Sequence, residues 1–328
     1  MTTYKGINGF AVQSVASDPS PLDEGQVWYN NATYAFKLAA ATTVGTWAAG
    51  GNLNTARGGL NGGAGTQTAA LGFGGFPANG TASESYNGTS WTSTPSLNTA
   101  RGLGAGFGAT NVAAICAGGY NGTNLTASES YNGTSWTNTP SLSTARRGVS
   151  GNGTQTAGSA IGGFTSVDIA DFESWNGSSW TASTSMGTAK NYLGVIGTQT
   201  AALAVNGYNP SVGGGISTVV ESWNGSSWTA VGSTNTAVAQ MGVSGTQSLG
   251  LKFGGATAGG PATGATEIWN GTSWSTNSNS MGTARGGLGS AGAGTQTAAL
   301  GFGAGSPGNA TEEYTGPGSP VTQTITTS

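Results

Sequence analysis

A glutamate recurs six times along this chain, at Glu84, Glu129, Glu173, Glu221, Glu267 and Glu312. A basic residue recurs with it, at Arg57, Arg101, Arg146, Lys190 and Arg285, with Val238 standing where another would fall. Two carboxylates that converge on one cleft can hydrolyse a glycosidic bond, one as acid and one as base or nucleophile. These carboxylates are instead spread along the chain, one per repeat. Each has a basic residue seventeen or eighteen positions downstream: Glu84 with Arg101, Glu129 with Arg146, Glu173 with Lys190, Glu267 with Arg285. The same count gives Arg57 to Glu312 and leaves Glu221, opposite Val238, as the exception. In a chain with only 6% charged residues, that pattern reads as structural ion pairs between repeats. Losing one partner of such a buried pair would strand the other charge.

Other chemistries are excluded more directly. The chain has no histidine and one cysteine, Cys116, so it can form no internal disulfide. Cys116 lies in an apolar run and is expected to be a buried small hydrophobe. No His/Cys cluster offers a zinc site, no acidic loop resembles a calcium hand, and Gly-Thr-Gln-Thr lacks the Lys-Ser/Thr ending of a phosphate loop. No catalytic residue, metal or cofactor is therefore expected. A net charge of −3 leaves no basic patch for nucleic acid. There is no apolar run of about 18 residues to span a membrane, and the N-terminus lacks the pattern of a secretory signal.

The elements that carry these charges are set by a repeat. One tryptophan marks it, at Trp47, Trp91, Trp136, Trp180, Trp228 and Trp274. Five residues before all but the first stands another aromatic: Tyr86, Tyr131, Trp175, Trp223 and Trp269. A last one, Tyr314, has no tryptophan after it. Between the two lies Asn-Gly, a hairpin signal because both residues tolerate positive φ. Thr-Ala-Arg or a relative follows each marker, then Gly-Thr-Gln-Thr-Ala or a divergent copy, then an apolar run ending in paired glycines. Each unit reads as four strands: a glycine-rich strand a, the Gln-Thr-Ala-Ala-Leu run as b, Ser-Glu-Ser-Tyr as c and Ser-Trp-Thr as d. Four strands per roughly 45 residues is the spacing of a propeller blade. Glycine is 61 of 328 residues without a Gly-X-Y period, which suits crowded inner strands and tight turns rather than collagen.

The ends of the repeat are complementary. The first unit begins at strand d, around Trp47, and the last stops at strand c, around Tyr314. A ring closed by pairing 45–48 with 311–315 accounts for both, and the missing partner of Trp47 is then Tyr314. The expected fold is all-β: a six-bladed propeller over 44–316, a short N-terminal β-hairpin arm in 1–43, and a polar C-terminal tail over 317–328.

Paired Gly, then Glu-x-aromatic, then Trp, then Arg is an order that resembles the kelch repeat, over residues 44–316. Kelch propellers serve mostly as binding platforms. The few that are oxidases use a copper site with histidine and a Tyr–Cys cross-link, which this composition cannot supply. The segment 16–37, Ala-Ser-Asp-Pro-Ser-Pro through Trp-Tyr-Asn to Phe-Lys, is similar to a short segment of bacteriophage tail and other virion proteins. That resemblance implies a non-enzymatic structural and binding protein of a virion: a tail, fibre or capsid-surface component. It would dock on other virion proteins through the arm, within a homo-oligomer or larger assembly. The alternatives are a secreted or cell-surface adhesion propeller and, last, a glycan hydrolase.

Variation indicates where recognition would occur. The a–b and c–d turns are nearly the same in every copy, whereas the b–c loops differ in length and content. Variable loops on a rigid scaffold are where binding usually resides. Tyr120, Asp168, Asp171 and Tyr208, all in these loops, are the expected contacts, with a host-surface glycan as ligand. The Asn-Gly-Thr/Ser sequences at Asn87, Asn132, Asn176, Asn224 and Asn270 match glycosylation acceptors but read first as turns.

Overall fold

Cross-strand pairing of aromatics builds the outer hairpin of each repeat. Tyr86 sits directly opposite Trp91, Tyr131 opposite Trp136, Trp175 opposite Trp180, Trp223 opposite Trp228 and Trp269 opposite Trp274. Their ring centroids lie 5.0–5.4 Å apart. The connection is a four-residue turn and not the two-residue Asn-Gly turn expected. Only the glycine takes positive φ (Gly88, 94°). The asparagine works instead through its side chain: Asn87 Oδ1 accepts from the N–H groups of Thr89 and Ser90 at 3.0 and 2.9 Å. The equivalent asparagines do the same.

The computed structural model describes residues 12–19, 26–41, 44–60, 62–76, 80–211, 215–305, 308–317 and 320–325. Among them no helix occurs, and the strands form seven four-stranded sheets where six were expected. Two compact units result: Trp47–Tyr314, and Met1–Thr46 with Thr315–Ser328.

Six sheets follow the repeat. The first is Ala64–Thr66, Ala69–Phe73, Ser83–Tyr86 and Trp91–Thr94, ordered in sequence and antiparallel. The next four repeat this order. The last takes Gly289–Ser290, Ala298–Ala304 and Gly308–Thr315 from the end of the chain and Thr46–Ala49 from near its start. Strand a of each repeat sheet lies against strand a of the next, and Ala298–Ala304 of the last sheet lies against Ala64–Thr66 of the first. Glycine is required there: a Cβ on Gly106 would sit 2.8 Å from the Phe73 ring.

The Gly-Thr-Gln-Thr motif joins neighbouring sheets. Gln199 Nε2 donates to the carbonyls of Gly158 and Trp175 in the preceding sheet at 2.8 and 2.6 Å. Gln155, Gln247 and Gln296 make the equivalent bonds to Tyr131, Trp223 and Trp269. Gln67 reaches Ala299 and Tyr314 of the last sheet at 3.1 and 2.8 Å. In the divergent second copy Asn111 bonds the Ser85 hydroxyl instead. Apolar clusters fill the spaces between sheets; one gathers Phe73, Leu97, Cys116 and Trp136. Cys116 is a free thiol, and burial pushes it up to about 11.

The seventh sheet is the smaller unit. It holds Gln13–Val15, Val27–Asn30, Ala35–Ala41 and Pro320–Thr324. The segment 317–328 is thus more than a polar tail, since Pro320–Thr324 pairs antiparallel with Ala35–Ala41. Nor is the arm a bare hairpin: Gln13–Val15 adds a parallel strand beside Val27–Asn30. The physical reason is that a two-stranded hairpin is marginal alone, whereas four strands with a buried Trp28 are not.

Asp18 organises this sheet. Its Oδ1 accepts from Trp28 Nε1 at 3.1 Å and Asn30 Nδ2 at 2.7 Å, and its Oδ2 meets Lys37 Nζ at 2.8 Å. The Lys37 bond, then the Asn30 bond, hold the carboxyl down from 3.8 to about 2. A lowered folded-state value means the stabilisation is present above the unfolded value and is lost as pH falls through the folded one. A carboxyl NMR titration is expected to place the Asp18 midpoint near 2 and to move it upward in Lys37→Ala. A midpoint at the ordinary aspartate value in the wild-type chain would refute the arrangement.

Candidate ligand-binding loop face

The repeated carboxylates are in the framework. Arg57 meets Glu84 at 3.0 Å, Arg101 meets Glu129 at 2.6 Å, Arg146 meets Glu173 at 2.9 Å and Lys190 meets Glu221 at 3.5 Å. Arg285 meets Glu312. Every one of these side chains is 8% exposed or less. The expected partners were one repeat out of register. Each carboxylate turns back to the link that enters its own sheet, where Glu84 accepts from the N–H groups of Asn54 and Thr55 at 2.7 and 3.2 Å. The arginine at the end of that link is therefore its partner: Arg57 belongs to Glu84 and not to Glu312. The exception moves with the register. Glu267, not Glu221, faces Val238, and Lys252 from strand b replaces the missing cation at 2.6 Å.

Asp171 also belongs to this framework. Its backbone carbonyl accepts from Arg146 Nη1 at 3.2 Å and from Gly162 N at 2.8 Å. The structure does not gather it with Tyr120, Asp168 and Tyr208.

Those three lie on the face formed by the b–c loops and the links between sheets. A ring of backbone hydrogen bonds is its floor. Leu103 N donates to Gly59 O, Gly148 N to Leu103 O and Tyr192 N to Gly148 O, each at 2.8 Å. Gln240 N donates to Tyr192 O and Gly287 N to Gln240 O at 2.9 Å, and Leu60 N returns to Gly287 O at 3.3 Å. All six carbonyl-bearing residues have positive φ, including Leu103 (59°), Tyr192 (52°) and Gln240 (58°). The three larger side chains are accommodated because each has a glycine neighbour. A Cβ on Gly59 would lie 3.2 Å from Leu103, and one on Gly148 would lie 3.2 Å from the Tyr192 ring. Beneath the ring the axis narrows to a cavity of about 20 Å3.

Around this floor, in five repeats the residue after the framework cation (or after Val238 in its place) pairs with the residue after the paired glycines (or after Asn206-Gly207). The pairs are Gly58 with Phe76, Gly102 with Tyr120, Arg147 with Phe164, Asn191 with Tyr208 and Ala239 with Ala256. The chemistry is lopsided: aromatic and polar side chains fill one arc, and alanine and glycine the rest. Arg147 is half-buried with its Cζ 4.9 Å from the Tyr120 ring centroid and 4.6 Å from that of Phe164. Its Nη1 donates to Asn124 Oδ1 at 3.4 Å. Asn124 Nδ2 in turn bonds the Phe164 and Thr165 carbonyls at 3.1 and 2.8 Å.

Asp168 follows along the arc. Burial pushes its carboxyl up, against a hydrogen bond that Asn191 Nδ2 donates to its Oδ1. Asn191 is 3% exposed and its Oδ1 has no partner. Asp168 also lines an open cavity of about 400 Å3 with Val167, Thr188, Asn209, Pro210 and Ser211. Tyr208, just before Asn209, is 40% exposed. Sequence reasoning missed Arg147, Asn124, Phe164 and Asn191. One signal was present: Arg146-Arg147 is a double arginine where the first two copies have Arg-Gly.

Among the described residues, no group of three or more His, Cys, Asp or Glu could hold a metal, and no helix is long and apolar enough to cross a membrane. No family model matches the chain, and no curated protein matches it in sequence. The solved structure of YjhT is similar to it, with a TM-score of 0.64 and 12% identity over 84% of this chain and 96% of that one. At that identity the likeness bears on the fold alone, and with the repeated four-stranded sheets it identifies a fold of the β-propeller type.

Proposed function

We propose that this chain is a non-enzymatic binding protein: a six-bladed, kelch-like β-propeller whose loop face recognises a glycan. The blades are the six repeat sheets, and the N-terminal strand completes the sixth. The observation that carries the binding role is the lopsided loop face. Framework positions are nearly uniform around the axis, yet the paired positions beside the floor hold Phe76, Tyr120, Phe164 and Tyr208 in four consecutive repeats, with Arg147 and Asn191 opposite the last two, and only Ala239 and Ala256 in the next. An exposed aromatic beside a carboxylate with hydroxyl-accepting capacity suits a sugar, whose C–H face stacks and whose hydroxyls donate. A catalytic role for the repeated carboxylates is disfavoured by their engagement: each is buried against a cation and, at Glu84, two backbone N–H groups.

The setting we propose is a bacteriophage particle, with the smaller unit as the docking arm. The residues that carry the likeness to virion proteins are those that hold its sheet together: Asp18, Trp28, Asn30 and Lys37. Mass spectrometry of purified virions tests the setting, and absence of the chain from particles overturns it. The binding role is tested on a glycan array with the full chain. Asp168→Asn and Tyr208→Ala are each expected to weaken the strongest glycan signal by about tenfold, as loss of a polar or stacking contact does, with an unchanged melting temperature. Undiminished binding in both variants would remove the site.

A further inference from the structure

The arc carries one cation that no carboxylate meets. Among the described residues, Lys37, Arg57, Arg101, Arg146, Lys190, Lys252 and Arg285 each meet a carboxylate. Arg147 meets none. Its guanidinium lies over the rings of Tyr120 and Phe164 and is bonded on one edge to Asn124. Ring contacts attract a cation without neutralising it. Among the described residues the fork makes one hydrogen bond, to Asn124, which leaves the rest of its N–H edge for a ligand. That edge is the part of arginine that binds a carboxylate or sulfate through two parallel N–H bonds. Holding a flexible side chain in place beforehand removes part of the ordering cost of binding.

The neighbours of Arg147 define the rest of the ligand. Phe164 is bridged through its backbone to Arg147 on one side and to Asp168 on the other. Two bridges from Arg147, the Asp168 carboxyl is held by the hydrogen bond that the buried Asn191 donates to it. That carboxyl is an acceptor, and it calls for a hydroxyl donor on the same ligand. We propose that Arg147 binds the oxyanion of an acidic carbohydrate, a uronate carboxylate or a sulfate ester, whose hydroxyls face Asp168. This deepens the glycan reading above and rests on it.

Calorimetric titration of the full chain tests it with oligogalacturonate, a sulfated dextran oligosaccharide and the uncharged dextran oligosaccharide, at low and at high salt. One or both acidic probes should bind, more weakly at high salt, and dextran should not. The two acidic arms tell carboxylate from sulfate. Arg147→Gln keeps much of the stem and should weaken acidic binding by about tenfold or more; Arg147→Lys keeps the charge but loses the fork and should also bind more weakly. Equal affinity of wild type and Arg147→Gln overturns the proposal. So does a Gln variant that melts earlier yet binds normally, for then the clamp only pins two loops together. If the acidic probes fail and an uncharged glycan binds on the array, this inference falls and the glycan reading stands; if no glycan binds in either experiment, both fall.

Discussion

Glu129→Ala is expected to destabilise the repeat unit by about 3–5 kcal/mol, the cost of stranding a buried charge. Glu129 and Arg101 are 0% and 1% exposed, so solvent screens neither. The substitution also removes the acceptor of the Asn98 and Thr99 N–H groups, which Glu129 takes at 2.7 and 3.1 Å. Arg101 would keep its bonds to the Gly118 and Ala127 carbonyls, which do not neutralise it. At this chain length a loss of that size lowers the melting temperature by roughly 10 °C. A double-mutant cycle by chemical denaturation then fixes the register. Arg101 should couple strongly to Glu129 and only weakly to Glu84. Stronger coupling to Glu84, its neighbour by sequence count, would contradict the geometry.

That register shows what the sequence could and could not convey. Six glutamates and five matching cations are legible as a repeated ion pair, because unpaired charges at fixed spacing in so uncharged a chain have few other uses. The partner of each is not legible. A period of roughly 45 residues gives every cation two equivalent glutamates, one ahead and one behind, and spacing alone favours the nearer. The fold resolves it the other way because the link into a sheet ends beside strand c of that sheet. Lys252 was hidden for a related reason: it lies on strand b of one copy only, so it has no repeat to announce it. The strand Pro320–Thr324 was missed although Val-Thr-Gln-Thr-Ile alternates and is β-branched. Its partner, Ala35–Ala41, lies near the other end of the chain, and a pattern read locally does not reveal so distant a pairing. In the loop face, length variation singled out the b–c loops, and so Tyr120, Asp168 and Tyr208. It did not expose Arg147 or Asn191, which lie on the links that pack against those loops.

Removing residues 1–50 is expected to damage the repeat unit far more than removing residues 1–43. The shorter deletion takes strands from the small sheet and leaves Thr46–Ala49 on the edge of the last repeat sheet. The longer one removes that strand and Trp47. Trp47 stands 5.1 Å from the Tyr314 ring and 4.8 Å from that of Phe253, and its Nε1 donates to Thr266 Oγ1 at 2.9 Å. Tyr314 is 0% exposed and Phe253 likewise, so losing Trp47 opens apolar surface that burial had stabilised by about 2–3 kcal/mol. The edge itself is the larger liability. Gly308–Thr315 would show a row of unpaired backbone groups, a template for pairing with another chain. Gly50 N to Thr311 O, at 2.9 Å, is lost in the same cut. The bonds from Gln67 to Tyr314 O, from Tyr86 to Glu313 and from Trp91 to Thr311 would remain to tie the last sheet's third strand to the first sheet. The 1–50 deletion should therefore melt well below the 1–43 deletion and self-associate, and Trp47→Ala in the full chain should fall between them. If the two truncations melt alike and both stay monomeric, the N-terminal strand does not hold the ring closed, and the six sheets are stabilised by their neighbours alone.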